Sequence, residues 1–151
     1  MINYGKPLDN LDDLTIVDSL VQVSFLIQNI LGRIGAEHDL SIIQIRLLGI
    51  LRDREPSMLQ LARHLGLDKS SITGLVDRAQ RRGLVERTVS ETDKRGFNVK
   101  ATSAGWQIIH EAGERIEQQI TALTAGLTET EQAQMIMFAG RILAAAPGES
   151  R

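Results

Sequence analysis

Between residues 69 and 74 the chain sets Lys69, Ser70, Ser71, Thr73 and Gly74 around one apolar residue, and Asp77, Arg78, Arg81 and Arg82 continue along the polar side. Small hydroxyl side chains can approach a base edge closely and either donate or accept, whereas Arg78 and Arg81 suit the phosphate backbone, where they position without carrying sequence information. A second basic group lies downstream, with Arg87 followed by Asp93, Lys94 and Arg95. A narrow A·T-rich minor groove concentrates negative potential and attracts arginine, and Arg95 fits such an insertion. Asp93, two residues earlier, could orient an arginine through a charge-assisted hydrogen bond. The chemistry on offer is recognition of a polyanionic duplex. The plainer reading is that Ser70 and Ser71 only cap a helix and that the arginines are solvated.

The elements that would carry these residues follow from spacing. Ser57 with Gln60 has the pattern of a capping box, and the short helix it opens is expected to put Leu59, Ala62 and Leu65 on one face. Gly66 ends it within a turn. Asp68 or Ser70 can cap the next helix, whose apolar positions Ile72, Leu75, Val76 and Ala79 stand at offsets 0, 3, 4 and 7. Gly83 stops that helix. Leu84 to Arg87 then alternates as a short strand does, and Phe97 to Lys100 answers it across a polar tip at 90–96. Two short helices joined through a glycine, followed by a two-stranded wing, make a winged helix-turn-helix.

Around this centre the chain reads as long helices. Residues 13–36 carry Ile16, Val17, Leu20, Val23, Ile27, Ile30, Leu31 and Ile34 at helical period, with Val21, Phe25 and Leu26 on neighbouring faces. That helix is more apolar than packing against one neighbour requires. A helix from Ser41 to about Asp53 stops ahead of Pro56. Beyond the wing, Trp106, Ile109, Ile116, Ile120 and Leu123 form a stripe, and Thr128 with Glu131 caps a last helix bearing Ile136, Phe138, Ala139, Ile142 and Leu143. The flanking helices hold more apolar area than one thin bundle would bury.

Composition sets the outer limits. In 151 residues with 42% hydrophobic but 3% aromatic content, the core must be aliphatic, which favours a mainly α protein with one core. The net charge of −2 hides an uneven distribution. Residues 63–100 hold nine basic against five acidic side chains, a local net of +4, and the remainder carries −6. Such a frame concentrates attraction for phosphate on one region, although an ordinary solvated face would look similar. Without cysteine there is no disulfide, thiolate metal site or thiol switch. The polar N-terminus is unlike a signal peptide, and no apolar run reaches the ~20 residues of a membrane helix, so a cytoplasmic protein is expected. No histidine pair stands at i, i+4, and no phosphate-binding, dinucleotide or nucleophile-elbow motif occurs. Neither an enzyme, a cofactor nor a metal site is expected.

The combination of Gly83-Leu84-Val85-Glu86-Arg87, Asp93-Lys94-Arg95 and Thr102-Ser103-Ala104-Gly105, together with Leu40-Ser41 and Gln44, Leu61-Ala62 and Leu65, and Ser71 through Arg78, resembles the MarR family of winged helix-turn-helix regulators. The resemblance covers nearly the whole chain. It implies a single domain over 1–151, with a winged helix-turn-helix at 40–101 and dimerisation helices at 12–37 and 102–146 that interlock with those of a second subunit. It also implies a homodimer that binds double-stranded DNA at a pseudo-palindromic operator, with recognition helices ~34 Å apart. Gly74, Ala79 and Ala101 depart from the family's pattern, and Gly74 removes a side chain from the DNA-facing helix.

Many relatives release DNA when a small aromatic or phenolic acid binds between the dimer helices and the winged domain. Here His38, Arg46, Trp106 and His110 border that region, and Arg46 between Ile45 and Leu47 could pair with a carboxylate. Each has a plainer role: Arg46 on phosphate or a neighbouring acid, Trp106 in a core, His110 on a surface or interface. The leading expectation is a dimeric, sequence-specific regulator, a repressor relieved by a small ligand. The alternatives are a winged-helix protein-interaction module and a nonspecific architectural DNA binder.

Overall fold

A computed structural model describes residues 14–92 and 96–147. The elements run α1 (Ile16–Glu37), α2 (Ile42–Leu51), α3 (Met58–Leu65), α4 (Lys69–Arg81), β1 (Val85–Val89), β2 (Phe97–Ala101), α5 (Ser103–Thr124) and α6 (Glu129–Ala144). Every helix starts on a side-chain cap. Thr15, Ser41, Ser57, Asp68, Thr102 and Thr128 each accept from a first-turn N–H, and Ser41, Ser57 and Thr128 complete reciprocal boxes with Gln44, Gln60 and Glu131. Of the two candidates ahead of α4, it is Asp68 that caps. Asp13, the expected start of the first helix, lies outside the described residues. α2 ends at Leu51, two residues earlier than expected.

One aliphatic core joins α1 to α5 and the wing. Ile30 and Ile34 of α1, Leu47, Leu48 and Leu51 of α2, Leu61 and Leu65 of α3, the four apolar positions of α4, Val85, Val99 and Ile109 are all buried. The expected inner face of α3 needs correction. Leu59 is exposed, and the buried stripe runs through Met58, Leu61, Ala62 and Leu65 instead. Fully buried Leu61 sets which face of this helix meets the core, and position 59 falls about 100° from position 58 and off that stripe.

β1 and β2 are antiparallel, with Val85 opposite Ala101 and Val89 opposite Phe97. Lys100 pairs with Glu86 at 3.1 Å across the strands. The wing is tied down from the side, because Val99 N–H donates to the Pro56 carbonyl at 2.9 Å and Ser57 bridges Asn98. Gly83, at φ 72°, turns α4 into the wing. The next corner is closed by Thr102, whose Oγ1 donates to the Gly83 carbonyl at 2.5 Å and accepts from Gly105 N–H at 3.1 Å. Gly105 is there for space, since a methyl group would overlap the Leu84 carbonyl oxygen. The flanking helices are less well covered. Arg115 of α5 pairs with Glu37 of α1 at 2.7 Å, but no residue of α6 is buried.

Candidate nucleic-acid interface

The buried faces of α4 and β1 determine what these elements leave to solvent. With Ile72, Leu75, Val76 and Ala79 turned inward, Lys69, Ser70, Ser71, Thr73, Arg78 and Arg81 are exposed along α4, and Gly74 is half-buried among them. The sequence therefore brings its candidate residues onto one continuous helical surface. Several hydroxyls and guanidinium groups on it already have partners. Ser70 Oγ donates to Asp68 Oδ1 at 3.0 Å, and Thr73 Oγ1 donates to the Lys69 carbonyl at 2.8 Å. Asp68 also accepts from Ser71 N–H at 2.7 Å. That backbone bond, with the Ser71 and Ser70 side chains, holds the Asp68 carboxyl below the usual carboxylate range.

Asp77 and Arg87 meet each other. Arg87 Nη2 lies 2.5 Å from Asp77 Oδ1, and its Nη1 donates to Gln80 Oε1. The pair braces α4 against β1 and gives both residues a structural use that the sequence reading did not contain. The signal was available as an acid on the polar side of one element and a base on the next. What could not be read was the turn at Gly83 that brings them together.

Arg82, read in the sequence as continuing the polar face of the same helix, turns away to partners that the reading did not contain. It donates to the carbonyls of Asp39 at 2.7 Å and His38 at 3.0 Å. Nothing in the local pattern distinguishes it from Arg81, which stays within its own helix and donates to the Asp77 carbonyl. Asp93, Lys94 and Arg95, expected at the wing tip, lie outside the described residues. The flanks of the tip are held where Ser90 N–H donates to the Gly96 carbonyl at 3.1 Å.

The four effector candidates are not gathered in one cavity. Arg46 lines a cavity of about 1690 Å³ between α3, the start of α4 and the wing, with Arg63, His64, Met58 and Phe97 also on its walls. His38 is instead within 4.0 Å of Glu111, and exposed His110 lies 3.4 Å from Glu114. Trp106 is 46% exposed, so it is not the core residue its type suggests. Among the described residues no cluster of three or more His, Asp and Glu is placed to hold a metal ion. None of the described helices is long and apolar enough to cross a membrane.

Comparison with known proteins agrees with this architecture. The model of the MarR family matches residues 38–96. The HTH-type transcriptional regulator PecS of Dickeya dadantii (strain 3937) is 24% identical over 141 residues, covering 91% of this chain and 85% of PecS. Wild-type apo MarR from E. coli superposes with a TM-score of 0.72 at 25% identity, over 87% of this chain and 98% of that one. MepR of S. aureus, solved as a complex with DNA, shares the fold with a TM-score of 0.75 at 19% identity, over 89% of this chain and all of that one. The winged helix-turn-helix on its aliphatic core is thus similar along most of its length to PecS and to MarR, and over residues 38–96 it matches the model of the MarR family.

Proposed function

We propose that this chain acts as a homodimer that reads a pseudo-palindromic operator in double-stranded DNA and represses transcription until a small aromatic or phenolic ligand releases it. The observation that carries the reading is the exposed face of α4, where Lys69, Ser71, Thr73 and Arg78 stand together beside the wing. In this reading the first turns of α4 enter the major groove, Ser70, Ser71, Thr73 and the bare backbone of Gly74 face base edges, and Lys69 and Arg81 approach phosphates. Asp77 and Arg87 hold the wing at its angle to that helix. On sequence alone, Arg95 at the wing tip is assigned to the minor groove, Asp93 to orienting an arginine there and Lys94 to the basic tip. The likeness to MepR, which was solved with DNA, supports the general mode of binding.

The dimer follows from apolar surface left open. Ile16 of α1 is 71% exposed and Ile136 of α6 is 74% exposed, and Leu20, Phe25, Phe138, Ile142 and Leu143 are also exposed. Such an area on α1 and α6 needs a partner, and a second copy joined by a two-fold axis would cover it while setting two α4 helices about one DNA turn apart. The helices at 12–37 and 102–146 are assigned to that interface and residues 40–101 to the DNA-binding module. For the ligand, the cavity beside Arg46 combines cationic and apolar walls suited to an aromatic carboxylate. His38, Trp106 and His110 lie elsewhere and have no part in that site.

A salt series with a duplex selected from a random library and an unselected duplex tests the reading. A regulator binds the selected duplex about 10³-fold more tightly, with affinity falling steeply as salt rises. Equal affinity for both duplexes would mark an architectural DNA binder, and binding to neither would favour a protein-interaction module.

A further inference from the structure

The hydroxyls best placed to read bases are restricted in what they can read. Ser70 and Thr73 donate their protons to Asp68 and to the Lys69 carbonyl, so toward DNA they can only accept. The guanidinium groups of α4 and its cap differ in the same way. Arg82 is held by His38 and Asp39, and Arg81 by the Asp77 carbonyl. The Arg78 guanidinium has no hydrogen bond or ion pair with any described residue, and the residue is exposed.

Its side chain, rooted in the third turn of the helix, reaches back over the second. Arg78 Nη1 lies 3.2 Å from the point where a Cβ on residue 74 would stand. Four residues of helix rise about 6 Å, so the side chain has folded back a full turn toward the N-terminus, the lean that helical geometry favours. Glycine at position 74 leaves the surface there free.

We propose that Gly74 and Arg78 form one reading unit, in which the absent side chain at 74 admits the Arg78 guanidinium to the base-facing start of α4, where it recognises a guanine through O6 and N7. This rests on the DNA-reading function proposed above and moves Arg78 from the phosphate backbone to a base edge. Arginine is suited to that edge because its planar fork donates two parallel hydrogen bonds to the two acceptors that guanine presents in the major groove. Gly74 acts as a positioning residue, and specificity lost from its missing side chain is supplied by Arg78 from one turn away.

The test is selection of duplexes from a randomised library by the full-length protein and by Arg78→Lys, Arg78→Ala and Gly74→Gln, followed by titration of each against the wild-type consensus duplex and a random duplex. Lysine keeps the charge but not the fork. The expected result is that Arg78→Lys no longer enriches one guanine per half-site and binds the consensus about tenfold more weakly or worse, with random-duplex affinity within about twofold of wild type. Gly74→Gln should lose preference at the same base with Arg78 intact. An unchanged consensus and affinity for Arg78→Lys would overturn the proposal, as would an equal loss on both duplexes for Arg78→Ala, the mark of a phosphate contact. A wild-type protein that enriches no consensus would instead overturn the regulator reading on which this depends.

Discussion

The Arg82 guanidinium at the end of α4 donates to the main-chain carbonyl of Asp39 at 2.7 Å, across more than forty residues of sequence. Asp39 has φ 56°, a left-handed conformation that an aspartate tolerates better than most residues. Its neighbour His38 caps α1 and offers its own carbonyl to the same guanidinium at 3.0 Å. The helix proposed to enter the groove is therefore fastened to the corner through which α1 joins the winged module. Any displacement of α1 within a dimer would be felt at α4 through this bond.

Replacing Arg82 with alanine should lower Tm by about 2–4 °C, which corresponds to about 1 kcal/mol in a chain of this size, because the bonds are charge-assisted but exposed. Arg82→Lys should recover only part of the loss, since an ammonium group has donors enough for both carbonyls but lacks the planar, pre-organised fork that reaches them from two nitrogens. Thermal denaturation followed by circular dichroism decides this, and an unchanged Tm for Arg82→Ala would show that the corner holds itself.

Gly105→Ala should be among the most damaging single-methyl changes in the protein. The new Cβ would meet the Leu84 carbonyl, a backbone atom fixed between β1 and the Thr102 corner, so a flexible side chain cannot yield to it. Overpacking of this kind costs about 1–3 kcal/mol. Chemical denaturation of Gly105→Ala beside Gly113→Ala, where the added methyl meets open space, separates the clash from any general effect of replacing a helical glycine.

These cases show what the sequence disclosed. Caps, helix ends and the inner face of α4 are local, and Ser57, Asp68, Gly83 and the Ile72 to Ala79 stripe were legible because each depends on neighbours within a few residues. The Gly83 and Thr102-to-Gly105 motifs were visible as a resemblance, while their reason, the close approach of α5 to Leu84, is a tertiary contact. Leu59 was misplaced because two overlapping stripes fit a short helix, and the core under Leu61 decides between them. The partners of Asp77, Arg82 and Arg87 depend on how α4, the wing and the α1–α2 corner meet, which spacing does not encode. The exposed face of α6 was legible as an excess of apolar residues.

The acid side of the stability profile should contain a contribution from Asp68. Its folded carboxyl is held below its ordinary value of 3.8, chiefly by the Ser71 backbone N–H, so its stabilising effect is present above that value and is lost as pH falls through the lowered folded one. Asp68→Asn keeps an acceptor for the cap but does not titrate. Its stability should accordingly fall less than wild type's between pH 5 and the acid limit. Parallel acid-side curves for the two proteins would mean that the carboxylate's charge contributes nothing to the cap.

Asp77 and Arg87 provide a measure of how firmly the wing is set. Arg87 is the more enclosed of the two, with its side chain 21% exposed against 46% for Asp77, and Gln80 supports it from the same side as Asp77. A double-mutant cycle with Asp77→Ala and Arg87→Ala should give a coupling of about 1 kcal/mol, at the upper end for exposed pairs. If Arg87 served DNA rather than the wing, Arg87→Ala would weaken binding while Asp77→Ala left it unchanged; a bracing role requires both substitutions to weaken binding alike.

Dimerisation should fail when charge enters the open face of α6. Ile136 is three-quarters exposed in one chain, on a helix with no buried residue, so Ile136→Glu should leave the winged module folded while opposing burial of that face against a second copy. Sedimentation should show wild type at twice the chain mass of 16.7 kDa and Ile136→Glu shifted toward the single-chain value. Operator affinity should fall far more than affinity for a half-site duplex, because the variant loses the gain from joining two readers rather than either reader itself. A variant that stayed dimeric would show that α6 lies outside the interface, and the apolar residues of α1 would then have to supply it without α6.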